Sequence, residues 1–263
     1  MPRRLGESCW RCIRRDWRET VKSSAARTSG SVGAGREARS IPDEIVGRLR
    51  ALPWSAVPLR AERKKISREI AGLQRAEVLR LAHHLIHSRV ARFVAYELVL
   101  NHEPTLASID AAEVERLGQG IGSWGDVDSF GCYVAGPAWR AGRITDRLIQ
   151  SWARSEDWCW RRAALVSTVP LNSRAQGGAG DTRRTLTICR MLVKDREDLV
   201  VKALSWALRE LAKRDPGSVR GFLAEQRGIL AARVVREVGN KLESGLKNPR
   251  RGLRKGSKGS GLC

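Results

Sequence analysis

The chain has 263 residues, of which 42% are hydrophobic and 29% charged, enough to bury a large core in one or two domains. Lys and Arg number 49 against 28 Asp and Glu, and the formal net charge of +21 favours a polyanionic partner, with nucleic acid as the leading candidate. The sequence has neither the long apolar run of a membrane helix nor the apolar segment of a signal peptide, so we expect a cytoplasmic, nucleoid-associated protein.

The first 40 residues are predicted to form a disordered basic leader. They hold ten Lys and Arg against four acids, and the Ser, Gly and Ala stretch over residues 23–35 has too few apolar side chains to fold alone. Cys9 and Cys12 have the spacing of half a zinc site, but no second half-site follows, so we expect no metal and no other cofactor. The six cysteines lack a disulfide framework, which predicts reduced thiols.

The ordered part is predicted to begin at Ile41, where Pro42 and two acidic residues give a helix-start signal. From there apolar residues recur at helical spacing, and no long stretch alternates with the period of a β-strand. Short connections containing Gly, Pro, Asp or Ser separate the segments, as consecutive antiparallel helices require. The later predicted helices cover residues 61–73, 76–87, 90–100, 110–117, 127–135, 144–154, 158–168, 182–193, 199–214, 218–226 and 231–246.

The sequence also contains a loose internal recurrence with a period of about 40 residues. Residues 155–166 and 195–206 each start with acidic residues, continue as an apolar stretch and carry a basic residue, and residues 88–97 are a weaker third copy. Helix pairs of this period are typical of HEAT-like solenoids, in which each pair buries its apolar face by stacking on its neighbours. The predicted fold class is therefore all-α, a HEAT-like helical repeat solenoid over residues 41–246.

A basic residue recurs one turn into the second helix of these units, at Arg92, Arg162 and Lys202. In HEAT-like units this position tends to line the concave face of the array. A concave basic groove of this kind fits the phosphate backbone of a duplex. The tail, residues 247–263, has six basic residues and no acid, and we expect it to be disordered and to add salt-sensitive DNA affinity.

Trp124 and Asp128 form the first candidate site. Ser123 is the predicted N-cap of a helix that starts at Trp124, and the spacing of four residues then places the indole and the carboxylate on one face. From spacing alone, the alternative is a core tryptophan and a first-turn acid that interacts with the helix dipole. Asp126 is a competing carboxylate, although a spacing of two residues directs it away from Trp124.

Three separated blocks point to one family: Trp124-x-x-x-Asp128, residues 160–165 (WRRAAL) and residues 201–210 (VKALSWALRE). In this order and at these separations they resemble the AlkD-type DNA alkylation repair glycosylases. The resemblance extends over roughly residues 61–246 and excludes both terminal segments. It implies a fold of HEAT-like helical repeats and an enzyme that excises purines alkylated at N3 or N7.

The resemblance also implies the roles of four residues. The family's catalytic acid falls on Asp128, its two lesion-facing tryptophans on Trp124 and Trp206, and its phosphate-binding arginine on Arg162. These residue types suit the reaction, because a purine alkylated at N3 or N7 is already a cationic leaving group. The barrier then lies in the oxocarbenium character of the sugar, which a fixed carboxylate stabilises, while aromatic faces attract the cationic base.

Three further cations are candidate DNA-binding residues. Lys202 precedes Trp206 by one turn, and Arg183 and Arg184 follow a helix-start aspartate. Each of them is also compatible with an ordinary solvated helix face. Equally, Trp206 in its Leu-rich helix is compatible with a core position, and Arg162 with an ion pair to a nearby acid.

The predicted function is a monofunctional alkylpurine DNA glycosylase, a hydrolase that cleaves the N-glycosidic bond of cationic N3- and N7-alkylated purines in duplex DNA and leaves an abasic site. Double-stranded DNA containing alkylated bases is the expected partner of a monomer that needs neither cofactor nor membrane. One alternative is a catalytically silent HEAT-like DNA-binding or scaffold protein. Another is an RNA-binding helical repeat, which would prefer single strands.

Overall fold

The structure is a computed structural model that describes residues 40–249, and every regular element in this range is helical. The prediction of an all-α fold is therefore confirmed for this part of the chain. The predicted basic leader (apart from Ser40), Cys9, Cys12 and residues 250–263 of the predicted tail lie outside the described residues. None of the helices within residues 40–249 is long and apolar enough to cross a membrane.

The described part of the chain folds as two compact units that divide between Thr145 and Asp146, and the helical domain predicted over residues 41–246 spans both. The first unit contains the helices α1 (Ile41–Arg50), α2 (Ala56–Glu69), α3 (Arg75–His87), α4 (Arg92–Asn101), α5 (Glu103–Ser108), α6 (Ala111–Gly118), α7 (Trp124–Phe130) and α8 (Gly136–Arg140). The second contains α9 (Asp146–Ala153), α10 (Trp158–Val166), α11 (Val169–Asn172), α12 (Thr182–Met191), α13 (Asp198–Leu211), α14 (Pro216–Gln226) and α15 (Ala232–Ser244).

In the first unit, α4 is the central helix. It packs against α2, α3 and α7, and its residues from Val94 to Val99 are all buried. Large side chains fill the surrounding core, among them Tyr96, Phe130 and Trp139, each at most 1% exposed. Burying a side chain of this size contributes about 1.5–3 kcal/mol, so the core holds α7 firmly in place.

A single helical run continues from α7 through a π-helical turn, Gly131–Ala135, into α8. The backbone remains right-handed helical at Phe130 and Gly136, and the Gly136 N–H donates to the carbonyl of Gly131, five residues earlier. A bond of this span adds one residue to the turn. The helix predicted over residues 127–135 is therefore longer than predicted and changes its register in the middle.

In the second unit, α13 is the central helix. It packs against α10, α12 and α15, and its apolar side chains, including Leu204, Leu208 and Leu211, are buried. Aspartate side chains cap three helices of this unit by accepting hydrogen bonds from backbone N–H groups in the first turn, at Asp157 for α10, Asp181 for α12 and Asp215 for α14. Such a cap typically contributes about 1 kcal/mol to the stability of its helix.

The predicted helices lie where the structure has helices, and their ends differ by a few residues. The largest shift is at the helix predicted over residues 61–73, which spans Ala56–Glu69 because the helix tolerates Pro58 in its first turn. The short helix α5 was not predicted, since six residues are too few for a clear apolar period. The successive packed helices fit an all-α helical repeat, while the concave basic groove stays a prediction.

Candidate functional site

Trp124 and Asp128 lie on α7 as predicted. The Ser123 hydroxyl accepts a hydrogen bond from the backbone N–H of Asp126 at 3.1 Å, so the predicted N-cap is confirmed. Both Trp124 and Asp128 are partly exposed, while Val127 and Phe130 on the same helix are fully buried. The indole and the carboxylate are therefore held on a rigid element and are still reachable from solvent.

Asp126 has a different environment from Asp128. Burial raises the pKa of the Asp126 carboxyl above its ordinary value, while the nearby Arg92 charge and hydrogen bonds at Ser123 oppose this rise. Arg92 also donates to the Tyr96 hydroxyl at 3.1 Å and to the carbonyl of Gln119 at 2.8 Å, in the loop before α7. Asp126 and Arg92 thus belong to the structure that fixes the start of α7.

The helical run that follows Asp128 is almost completely enclosed. Between Val127 and Trp139, every residue except Asp128 and Tyr133 is buried. Helical spacing would place Cys132 below Asp128, but Cys132 is only 7% exposed. Tyr133, within the π-helical turn, is partly exposed instead, and sequence spacing alone did not reveal this.

In the second unit, Arg162 on α10 is only 5% exposed. Its Nη1 donates a hydrogen bond to the backbone carbonyl of Leu199 in the first turn of α13. The guanidinium therefore links two packed helices of this unit. Its phosphate-binding role, implied by the family resemblance, stays a prediction.

Lys202 lies on α13 in an exposed ion pair. Its Nζ is 2.5 Å from Oδ2 of Asp198, one turn earlier, and Arg233 on α15 is 3.3 Å from Oδ1 of the same carboxylate. The hydrogen bond from Lys202 is the main cause that lowers the pKa of Asp198 below its ordinary value. Two cations therefore share one carboxylate at this surface, and Lys202 remains 42% exposed.

Arg183 and Arg184 start α12 and share Asp146 at the start of α9. Arg183 Nη2 is 3.0 Å and Arg184 Nε 2.8 Å from the two oxygens of that carboxylate. Arg184 also lies 3.6 Å from the helix-capping Asp181 and is 25% exposed, whereas Arg183 is 72% exposed. Of the two, Arg183 is the one that an approaching phosphate reaches more easily.

Trp206 is a partly exposed residue of α13, not a core residue. One turn later, Arg209 donates to the Ser205 hydroxyl at 3.2 Å, and that hydroxyl donates to the buried Glu237 of α15 at 2.7 Å. Burial is the cause that lowers the pKa of Arg209. The predicted residues therefore form two groups, with Trp124 and Asp128 in the first unit and the remaining aromatic and cationic residues in the second.

The three described cysteines, Cys132, Cys159 and Cys189, are all buried. Burial raises the pKa of the Cys189 thiol. Within residues 40–249 there is no group of three or more His, Cys, Asp or Glu side chains that could hold a metal ion.

The family model described as "DNA alkylation repair enzyme" matches residues 56–242, which is well over half of the chain. The chain belongs to the DNA alkylation repair enzyme family. The matched range includes Trp124, Asp128, Arg162 and Trp206, and the resemblance seen in the three sequence blocks is thereby confirmed. No curated protein and no solved structure matches the chain. Membership of this family associates the protein with the repair of alkylated DNA.

Proposed function

We propose that this member of the family is a monofunctional DNA glycosylase that releases cationic N3- and N7-alkylated purines from duplex DNA. The observation that carries the proposal is the placement of Asp128. Asp128 is partly exposed, one turn from a partly exposed indole on the same helix, inside the range matched by the family. The neighbouring Asp126 lies close to Arg92 and to the Ser123 cap at the start of α7.

The reaction breaks the N-glycosidic bond between C1′ of the deoxyribose and the alkylated purine. The base takes the bonding electron pair and leaves neutral, because its positive charge is cancelled, so no acid is needed to protonate it. Asp128 stabilises the positive charge that develops on the sugar and orients the attacking water. Addition of that water to C1′ gives an abasic site and one proton.

The tryptophans supply π faces for the cationic base or the edge of the sugar. Such contacts contribute about 0.5 kcal/mol at exposed sites and about 2 kcal/mol when desolvated. Trp124 is placed for this role by its position one turn before Asp128. Trp206, on the second unit, is partly exposed as the same role requires.

The duplex is bound through its phosphates by cations of the second unit. Lys202 and Arg183 are the exposed candidates, and Arg184 and Arg162 the more enclosed ones. No Lys lies on the helical run from Trp124 to Arg140, so a lyase step through a lysine of this run is not proposed. The product is accordingly an intact strand with an abasic site.

The experiment measures release of free base from duplexes that contain 7-methylguanine or 3-methyladenine under single-turnover conditions. Asp128→Asn should lower the rate about 100-fold or more while leaving the affinity for duplex DNA nearly unchanged. Asp126→Asn is the matched control, because it removes a carboxylate two residues away on the same helix and retains an oxygen able to accept hydrogen bonds. This control should keep most of the activity.

The remaining outcomes assign the alternatives. Tight binding of duplex DNA without base release by the wild type would favour a catalytically silent DNA-binding or scaffold protein. A clear preference for single-stranded RNA would instead favour an RNA-binding repeat. Equal loss of activity in both aspartate variants would mean that the start of α7, and not the Asp128 carboxylate, is what matters.

A further inference from the structure

Tyr133 is the second partly exposed side chain on the enclosed helical run that carries Asp128. It lies five residues after Asp128, within the π-helical turn. Such turns are rare and are frequent at functional sites, so this one calls for a functional explanation.

An arginine of another helix fixes the hydroxyl of Tyr133. Arg60 on α2 donates from Nη2 to the Tyr133 oxygen at 3.1 Å and from Nε to the buried Glu97 at 2.8 Å. Its guanidinium also lies over the ring of Phe93, 5.7 Å from the centroid. Partners on α4 and on the π-helical turn thus hold the guanidinium of Arg60 in a defined orientation, and the Arg60 side chain is still 40% exposed.

The cluster has a net positive charge, because Glu97 also accepts a hydrogen bond from Arg63 at 3.0 Å. Two guanidinium groups share one carboxylate. Burial raises the pKa of Tyr133, so the phenol keeps its proton at neutral pH. Since the Tyr133 oxygen accepts a hydrogen bond from Arg60, the Tyr133 hydroxyl can donate its own proton to an anion. The Nη1 group of Arg60 takes no part in the bonds to Tyr133 and Glu97 and can donate to the same anion.

We propose that Arg60 and Tyr133 form a phosphate-binding subsite for the duplex, beside Asp128. A planar guanidinium and a phenol O–H held side by side can donate to two oxygens of one phosphodiester. Because Tyr133 and Asp128 lie on one helical run, the subsite takes a phosphate near the damaged nucleotide, a placement that rests on the proposed role of Asp128.

The first test measures how affinity for an undamaged duplex depends on salt, and it needs no base release. Arg60→Met should reduce the slope of log affinity against log salt by about 0.9, the value for one phosphate contact. Tyr133→Phe removes only the hydroxyl, so it should lower affinity about two- to tenfold without changing the slope. Lys65→Met is the matched control, since Lys65 is an exposed cation of the same helix, paired with Glu62 instead of Tyr133. It should leave the slope unchanged.

The second test locates the phosphate. Duplexes with a stable abasic-site analogue carry one uncharged methylphosphonate linkage, moved stepwise along the strand on either side. In the wild type, affinity should fall most with the linkage at one position within a few nucleotides of the analogue. In Arg60→Met the same linkage should cause little further loss, because the two changes remove one shared contact.

Each outcome decides one proposal. If Arg60→Met and Lys65→Met have equal salt-dependence slopes, Arg60 serves only the fold. The same conclusion follows if the methylphosphonate linkage lowers the affinity of Arg60→Met as much as it lowers that of the wild type at every position. If Arg60→Met fails to fold, Arg60→Lys keeps the charge and removes the planar fork, and its methylphosphonate profile gives the same decision. A protein that releases no base but shows the Arg60 salt effect would keep the subsite and lose the glycosylase proposal.

Discussion

The two compact units supply different kinds of candidate functional residue. In the first unit, α7 carries the indole of Trp124 and the carboxylate of Asp128, both partly exposed, while Val127, Ser129 and Phe130 of the same helix are buried. In the second unit, each candidate DNA-binding cation already has a partner of its own: Arg162 has a backbone carbonyl, Lys202 has Asp198, and Arg183 and Arg184 share Asp146. Direct contact between a DNA phosphate and these cations therefore requires the phosphate to displace their present partners.

The cost of such a displacement depends on burial. An exposed ion pair contributes about 0–1 kcal/mol, so a phosphate can replace Asp198 at Lys202 or Asp146 at Arg183 with little loss. The hydrogen bond between Arg162 and the Leu199 carbonyl is different, because an unsatisfied buried polar group costs about 1–3 kcal/mol. We therefore expect the second unit to contain two classes of cation, one that exchanges partners and one that maintains the fold.

The largest expected effect tests this division. Arg162→Met should lower the free energy of unfolding by about 3 kcal/mol, since it leaves the Leu199 carbonyl without its donor. Lys202→Met should lower it by at most about 1 kcal/mol, because its ion pair is exposed. Urea unfolding of both variants makes the comparison. If the two variants are equally stable, Arg162 belongs with the cations that can exchange their partner for a phosphate.

The next effect compares the tryptophans of the two units. Trp124→Ala and Trp206→Ala should each slow base release from a 7-methylguanine duplex about 2- to 30-fold, the range given by losing one cation–π contact. Trp139→Phe, a change at a fully buried tryptophan of the first unit, is the control for altered packing. A loss confined to Trp124→Ala would assign the chemistry to the first unit alone and leave Trp206 a binding role.

The sequence predicted the fold better than the partners of its charged residues. Helix starts such as Ser123 and the apolar periods follow from local chemistry, and they are where the structure has them. The π-helical turn after α7 was not predicted, because it interrupts the regular period on which the helix prediction over residues 127–135 depends. Arg162 and Lys202 occupy equivalent positions in the repeat pattern, and only the contact with Leu199 separates a buried cation from an exposed one. Such contacts join residues about 40 positions apart, beyond the reach of local patterns.

A smaller effect concerns the exposed cations of the second unit. Lys202→Met and Arg183→Met should each reduce the salt-dependence slope of duplex binding by about 0.9, as expected for one phosphate contact apiece. Arg190→Met is the control, because Arg190 is an exposed cation later on α12, paired with Glu225. If the control lowers the slope by the same amount, the measurement reports net charge and not a specific contact.

The smallest expected effect is a gain in affinity for duplex DNA. Asp198→Asn removes the carboxylate that Lys202 and Arg233 share, so both cations become available and duplex affinity should rise about two- to fivefold at low salt. Asp215→Asn is the control, because it removes the same charge from a carboxylate at the start of α14 that accepts from the Ser218 N–H and the Thr182 hydroxyl. Unchanged affinity in Asp198→Asn would mean that the DNA does not reach this surface.

The difference in stability between the wild type and Asp198→Asn should depend on pH. The hydrogen bond from Lys202 lowers the pKa of Asp198 below its ordinary value of 3.8, so the ionised carboxylate stabilises the fold above that pH. This contribution is lost as the pH falls through the lowered folded-state pKa, where the wild type becomes protonated and resembles Asp198→Asn. The stabilities of the two proteins, measured by urea unfolding, should differ slightly at neutral pH and converge below a pH of about 3.8. A difference that persists there would assign the effect of the substitution to packing and not to the shared carboxylate charge.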